Sequence, residues 1–567
     1  MEKRWVFYHQ QSEECKKLAG EVNLSPKVAQ VLINREINSP EEAFRFLNPS
    51  LSNLHDPFLL KDMKKGVERV LLALEKNEKI TIFGDYDVDG TTSTSLLLLF
   101  LKEIEANCDY YIPDRLHEGY GLNVDAIKKL SRRGTRVIIT VDNGISSFKE
   151  VELACSLGMD VIITDHHQIP PHLPPAYGVI NPQQADCSYP FKELAGVGIA
   201  LNMVMAIRSG LRERGKWERQ CEPNIKKYLD LAALGTIADI APLTGINRII
   251  TVHGLKELSR GNRPGIKALK RVSAIDSGEV NVGGVGFQLG PRLNAAGRMS
   301  SADAGVKLLT TEIVKEASTM AEELDSENRK RQAVEKEILE EAVAMVESMK
   351  LYEKSSIVIH SENWHPGVIG IVASRLVDRY YKPSLVIAVI DGVGKGSARS
   401  IDGFHLYRGL TECSDHLEGF GGHKYAAGIT ISPEKILPFA ENFDRVVKKS
   451  VPKEDFKRPL KIESCLSFEE IDDNIIEELE RLSPFGASNA EPVFATEDVT
   501  LLSLRLLKDA HLKMTFQQEG KTFDAIAFNM AHKRVQEGER FSIAYSLRFN
   551  YWNKQKSIQL FIKDIKC

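Results

Sequence analysis

Three short strand-like runs each stop abruptly at an acid: Ile80-Thr81-Ile82-Phe83 before Gly84-Asp85, Arg136 to Val141 before Asp142-Asn143-Gly144, and Val161 to Thr164 before Asp165-His166-His167. Such runs, alternating with helical patterns, predict an α/β domain with a mainly parallel sheet. In an open sheet of this kind ligands gather beyond the carboxyl ends of the strands, so acids placed there can converge. A further acid, Asp239, lies near the end of Leu231 to Ile240, a segment that reads as either helix or strand.

Gly84 to Thr92 reads Gly-Asp-Tyr-Asp-Val-Asp-Gly-Thr-Thr. It places Asp85, Asp87 and Asp89 on a strand end and turn, with Gly90 expected to allow a sharp reversal into a helix from Thr91 to Ile104. Crowding three anions is costly unless a cation shares them, which points to oxygen ligands for Mg²⁺ or Mn²⁺. A calcium loop of the EF-hand type needs a terminal glutamate, and Ser93 to Phe100 contains none. The histidines add a borderline nitrogen ligand, which favours Mn²⁺ over Ca²⁺. Taken alone, a His-His pair is more often a polar loop than a ligand.

The remainder divides by pattern. Residues 1 to 50 are expected to form a helical lead-in, with Ser39 capping and Pro40 opening a helix. Residues 51 to 312 carry the α/β pattern. From Val306 to Lys350 there is neither glycine nor proline, and apolar residues recur at helical spacing. That predicts a connecting helix over 313 to 350 that holds two domains apart around a cleft, or else a pair of helices kinked near Glu327 to Gln332. A second α/β unit spans 351 to 455. Its segment Gly392 to Ser400, with three glycines before Ser397 and Arg399, reads as a loop whose backbone approaches a phosphate. Gly421-Gly422-His423 supports that reading, although most glycine-rich loops are only tight turns.

Residues 456 to 567 show short strand-like runs at Leu512 to Gln517, Phe523 to Phe528, Phe541 to Phe549 and Ser557 to Ile562. Between 500 and 567 twelve Lys and Arg face six Asp and Glu, and Phe549, Tyr551 and Trp552 lie beside Arg548, Lys554 and Lys556. Two readings stand on pattern alone: an OB-type barrel that binds single strands, or a small barrel with core aromatics.

The whole chain has a formal net charge of −4, so any contact with nucleic acid must come from local patches. Eight scattered cysteines without a Cys-x-x-Cys pair indicate neither zinc nor a disulfide framework. No apolar stretch approaches the roughly 20 residues of a membrane helix, and Met-Glu-Lys-Arg-Trp lacks a signal peptide's apolar segment. A cytoplasmic protein without a membrane partner is the expectation.

Asp85-Tyr86-Asp87-Val88-Asp89, Asp142-Asn143-Gly144 and Asp165-His166-His167 resemble the successive motifs of the DHH phosphoesterase superfamily. More closely, the chain resembles the RecJ family of bacterial exonucleases, which degrade single-stranded DNA from the 5′ end. Phe46 to Pro49, Leu54 to Pro57, Ile112 to Arg115, Gly119 to Leu122, Pro291 to Arg298, Trp364 to Gly370, Gly396 to Ser400 and Gly421 to His423 all fit that family. Ser483-Pro484-Phe485-Gly486 fits as well, whereas Ala487-Ser488-Asn489-Ala490 departs from its usual Gly-x-Gly-Asn-Pro run.

The resemblance implies a DHH domain, a DHHA1-type second domain and an OB-fold single-strand-binding domain. It also implies two-metal phosphodiester hydrolysis with two Mn²⁺ or Mg²⁺ ions. Asp87 would serve the first ion and Asp89 the second, Asp142 would bridge them, and His166 and Asp239 would complete the coordination of the second ion. Asp85 would either ligate the first ion or orient a ligand. His167 would meet the scissile phosphate, Arg292 and Arg298 would stabilise its charge, and Asn294 would position it. Arg115 would guide the incoming strand, although alone it reads as a surface ion pair. The segment carrying Ser397 and Arg399, with His423, would hold the 5′ phosphate and so set polarity. Single-stranded DNA is the implied substrate, a helicase and a single-strand-binding protein are implied partners, and a monomer is expected. The alternatives are a DHH-type oligoribonucleotide or cyclic-dinucleotide phosphodiesterase, a DHH-type pyrophosphatase, and a non-catalytic scaffold. The extra C-terminal region and the complete set of acids and histidines argue against them.

Overall fold

A computed structural model describes residues 3–114, 118–218, 221–275, 278–299, 303–552 and 555–566. Contacts divide the chain into two units that do not follow chain order. One joins Ile37–Asn328 with Glu480–Glu491, and the other joins Met1–Glu36, Arg329–Leu479 and Pro492–Cys567.

In the first unit, five parallel strands lie in the order Cys108–Tyr111, Lys79–Phe83, Thr135–Val141, Asp160–Thr164, Gly178–Ile180. The chain reverses its direction of progress between Lys79–Phe83 and Thr135–Val141, which is a topological switch point. Side chains alternate strictly between two cores. Ile80, Ile82, Val137, Ile139 and Ile162 pack on one face with the helices Met63–Glu75, Val88–Glu103 and Gly196–Glu213. Phe83, Ile138, Val161 and Ile163 pack on the other with Val124–Arg132 and Phe148–Ser156. Register pairs Phe83 with Thr140 and Val141 with Thr164, so the three acid-bearing ends finish nearly level.

Two local expectations are corrected here. The helix after the first acids begins at Val88, not Thr91, so Asp89 and Gly90 lie in its first turn. Gly90 makes no reversal; a Cβ there would stand 2.6 Å from the Asp85 carbonyl oxygen, so its role is close approach. The ambiguous segment is the helix Leu229–Ala238, with Asp239 as its C-cap. Every residue of it but the last is buried, so it lacks the amphipathic stripe that would have identified it.

At the N-terminus, the expected helices Ser12–Val22, Pro26–Ile33 and Pro40–Leu47 are preceded by a strand, Arg4–Phe7, paired in parallel with Pro459–Ile462. Ser39 and Glu42 form a reciprocal capping box, an arrangement worth about 1 kcal/mol. Val314–Ser348 is a single 35-residue helix, without the break considered near Glu327.

The second unit holds a five-stranded mixed sheet in the order Gly419–Gly422, Ala426–Ile431, Val393–Arg399, Ser384–Ile390, Ile357–Ser361, with the helices Ile369–Tyr380 and Ile436–Ser450. The predicted glycine-rich loop is therefore a strand at the centre of this sheet. Its glycines relieve crowding: a Cβ on Gly396 would stand 2.5 Å from Ile429 Cγ1, and one on Gly394 2.8 Å from the Ile431 carbonyl oxygen. Only Gly392, at φ +76°, serves a turn.

A closed barrel runs Phe494–Leu507, His511–Gln518, Lys521–Ala527, Gln555–Lys566, Arg540–Trp552. Its first strand was not anticipated as starting at Phe494. Register shifts between Thr496 and Val499, spanning Asp498 at φ +55°, and between Leu501 and Ser503 break the alternation that would have revealed it. Among the described residues no helix is long and apolar enough to cross a membrane.

Candidate metal centre

The level strand ends, the start of the helix Val88–Glu103 and the C-cap of Leu229–Ala238 bring six predicted ligands into one cluster. Ligand atoms of Asp85, Asp87 and Asp142 lie within 4.8 Å of one another, as do those of Asp89, His166 and Asp239, and those of Asp142, His166 and His167. Asp142 is common to the first and third groups, and His166 links the third to the second. His166 Nε2 is 3.1 Å from Asp142 Oδ1 and 4.0 Å from Asp89 Oδ2, and its Nδ1 is 3.9 Å from Asp239 Oδ2.

Hydrogen bonds to the surrounding chain hold several of these residues. Asp87 caps the helix Val88–Glu103, accepting from the Gly90 amide at 3.0 Å. Asp89 accepts from the Gly196 and Val197 amides at 2.7 and 2.8 Å, so the N-terminus of Gly196–Glu213 faces a carboxylate, as the helix dipole favours. Asp142 takes φ +62°; its amide donates to the Thr164 carbonyl at 3.0 Å, and its carbonyl accepts from the Tyr120 hydroxyl at 3.0 Å. Asp165, fully buried, accepts from the Ile145 amide and from both the amide and Nδ1 of His167.

The electrostatics ask for a cation. Burial, then the charges of Asp89, Asp87, Asp85 and Asp239, holds the Asp142 carboxyl well above the usual range. Burial and Asp87 push Asp89 up to about 7, and burial with Asp89 and Asp87 pushes Asp239 up to about 8. His166 is pushed down to about 4 by burial and by the charge of His167, which leaves it the neutral imidazole that a metal needs. Burial opposes charge on His167, but the hydrogen bond and charge of Asp165 outweigh it and raise His167 to about 9. Asp142 Oδ1 and His166 Nε2 are buried without a hydrogen-bond partner among the described residues. An acid-rich donor set with buried, unpartnered ligand atoms fits hard divalent cations.

Several contributors were not anticipated. A Cβ on Gly196 would lie 2.8 Å from Asp142 Cβ and 3.0 Å from Asp89 Oδ2, and one on Gly235 would lie 2.9 Å from Asp89 Oδ1. Nothing in the local sequence marks either glycine; only the approach of two helices to the acids does. Tyr120, part of a segment already matched to the family, gave no hint of its bond to Asp142.

Three family models match in order: the DHH family N-terminal domain over residues 79–236, the DHHA1 domain over 352–449 and the RecJ OB domain over 462–564. The single-stranded-DNA-specific exonuclease RecJ of Bacillus subtilis (strain 168) is 41% identical over 567 residues, covering 99% of this chain and 70% of its own length. The chain belongs to the RecJ family. The Escherichia coli (strain K12) RecJ is 35% identical, with 96% of each chain covered. The crystal structure of RecJ in complex with Mn²⁺ from Thermus thermophilus matches with a TM-score of 0.84 at 27% identity, covering 100% of this chain and 79% of that one.

Arg292 donates to Asp325 Oδ1 at 2.9 Å and to the carbonyls of Gln288 and Val272, none of which belongs to the acid cluster. Asn294 is half-buried on the same helix, Gly290–Met299. The Arg298 side chain and all of Arg115 lie outside the described residues. In the second unit, Arg399 Nη1 donates to Ser397 Oγ at 3.1 Å. A Cβ on Gly370 would come within 2.9 Å of that Oγ, so the N-terminal turn of Ile369–Tyr380 stands directly over this pair. His423 is exposed, and its amide donates to the Ala426 carbonyl at 2.8 Å.

Proposed function

We propose that this protein is a metal-dependent, single-stranded-DNA-specific exonuclease that works from the 5′ end and releases 5′-mononucleotides. The carrying observation is the pair of linked ligand groups, Asp85, Asp87 and Asp142 beside Asp89, His166 and Asp239, in a chain of the RecJ family. Asp87, with Asp85, would hold one Mn²⁺ or Mg²⁺ ion; Asp89, His166 and Asp239 would hold the second; Asp142 would bridge. Bound there, such ions supply an activated water and neutralise charge on the phosphate. RecJ of Thermus thermophilus has been crystallised with Mn²⁺ and with Mg²⁺, which supports the metal choice.

The chain's own residues do the rest. Asp165 keeps His167 cationic and oriented beside Asp142, where it would meet the scissile phosphate. Ser397, Arg399 and the helix start at Ile369 would take the terminal 5′ phosphate, with His423 in the turn between the strands Gly419–Gly422 and Ala426–Ile431. Asn294 and Arg298 would act on the substrate, and Arg115 would guide the strand. The basic excess of the barrel, with exposed Tyr551 and Arg548, supports tracking of a single strand. A helicase and a single-strand-binding protein as partners, a monomeric state and a cytoplasmic location complete the proposal.

The test is digestion of a long single-stranded DNA labelled at either end, with Mn²⁺ added or chelated. Metal-dependent release of the 5′ label as mononucleotide is expected. Release from the 3′ end, or attack on very short oligomers alone, would overturn the reading.

A further inference from the structure

Residues 480–491 lie within the span matched to the RecJ OB domain, just ahead of the barrel's first strand, yet they group with the catalytic unit. Their contacts converge on the chain just after Asp239. The Leu243 amide donates to the Ala487 carbonyl at 2.8 Å, and Gly486 packs so tightly that a Cβ would stand 2.5 Å from Leu243 Cδ1. Arg248, 2% exposed, donates to the carbonyls of Leu482, Arg481 and Ser483 at 2.9, 3.1 and 2.7 Å, and to that of Phe46 at 2.8 Å. Asn489, fully buried, closes the segment on itself through bonds from Nδ2 to the Leu482 and Pro484 carbonyls, both 2.9 Å.

The held loop has reason to move if released. Asp239 caps the helix Leu229–Ala238, and the next residue, Ile240, takes φ +60° while 75% exposed. A β-branched residue in that conformation is strained, and such strain persists only where the surroundings over-determine it. On the helix side the Ala241 amide is bonded to the Thr236 carbonyl. On the far side Leu243 is bonded to Ala487 and the helix Gly245–Arg260 is anchored to the segment through Arg248, beside a further bond from Asn247 to the Glu193 carbonyl.

We propose that 480–491 is a positioning segment of the metal centre: by clamping Leu243 and Arg248 it fixes the strained loop that carries Asp239, and so sets affinity for the ion at Asp89, His166 and Asp239. The inference rests on the assignment of Asp239 as a ligand of that ion. It also gives a physical content to the departure at Ala487 to Ala490, where Ser488 holds φ +54°.

The test is Mn²⁺ titration by calorimetry on full-length Asn489→Ala, Arg248→Lys and Asp239→Ala. Val70→Ala, in a buried position of the helix Met63–Glu75 that carries no ligand, is the control for general destabilisation. Asn489→Ala and Arg248→Lys are expected to weaken the Mn²⁺ held by Asp89, His166 and Asp239, identified as the ion that Asp239→Ala loses, by about tenfold, the scale of outer-sphere ligand support, and to leave the other ion unchanged. Their lost turnover should return at raised Mn²⁺, while Val70→Ala keeps wild-type affinity at a comparable loss of Tm. Wild-type metal affinity in both segment variants, or an equal loss in Val70→Ala, overturns the proposal. If Asp239→Ala also binds Mn²⁺ as wild type, the ligand assignment itself has failed; if it loses one ion while the segment variants keep both, the clamp alone is wrong.

Discussion

His166 Nε2 stands 3.1 Å from Asp142 Oδ1, yet neither buried atom makes a hydrogen bond among the described residues. Two facing polar atoms without an aligned proton are costly in a protein interior, and a cation that takes a lone pair from each removes the cost. We therefore expect Asp142→Ala to lower turnover by more than about a hundredfold, beyond the effect of outer-sphere changes. Fluorescence anisotropy should show single-stranded DNA binding largely intact. Loss of binding together with activity would count against Asp142 as a bridging ligand.

The raised acids predict a pH dependence. Burial and the neighbouring acids push Asp89 up to about 7 and Asp239 up to about 8 in the metal-free fold, whereas unfolded carboxylates ionise at about 4. Between those values the folded state binds more protons, so metal-free stability falls as pH rises. Mn²⁺ displaces those protons, and the rise in Tm on adding Mn²⁺ should be larger at pH 8 than at pH 6. Calorimetry in buffers of different ionisation heat should show proton release on binding at pH 6.5. A Tm shift independent of pH would contradict this.

Asp165 is the partner that keeps His167 charged. In Asp165→Asn burial is opposed only by the charges of Asp239 and Asp89, so the His167 pKa should fall, as seen by NMR titration. Turnover at pH 8 should fall by about 10- to 100-fold with little change in KM. An unmoved His167 titration would sink the assignment.

Gly196 gives a sharper test of geometry. In Gly196→Ala the new methyl meets Asp142 Cβ and Asp89 Oδ2, so the chain should fold but bind Mn²⁺ at least about tenfold more weakly. Far-UV circular dichroism and metal titration together check this; normal metal affinity would refute it.

Arg399 with Ser397 predicts end recognition. Arg399→Ala should raise KM for a 5′-phosphorylated strand by about tenfold, the scale of a charge-assisted hydrogen bond. A 5′-hydroxyl strand should be degraded as by the wild type. Equal effects on both strands would remove Arg399 from the phosphate site.

The core of the acid cluster was legible because parallel strands impose a simple code. A buried run that stops at an acid places that acid at the carboxyl end of the sheet, and three such runs suffice. Helix Leu229–Ala238 was ambiguous since burial on all sides erases the periodicity that separates helix from strand. Gly392 to Ser400 was misread because glycine serves equally in a phosphate loop and in a crowded strand. The decision rested on Ile387, Ile429 and Ile431, which reach the same face only once the sheet is assembled.

By itself, then, the sequence determined which residues could share a cation, since carboxylates after buried strands have few other fates. Tertiary structure alone decided how they are held. The amides of Gly196 and Val197 on Asp89, the hydroxyl of Tyr120 on the Asp142 carbonyl, and the Ala487 carbonyl under Leu243 come from segments about 20 to 245 residues away. Hydrogen bonds and steric limits of that kind act over a few ångströms of space, and no local pattern along the chain encodes which distant segment will supply them.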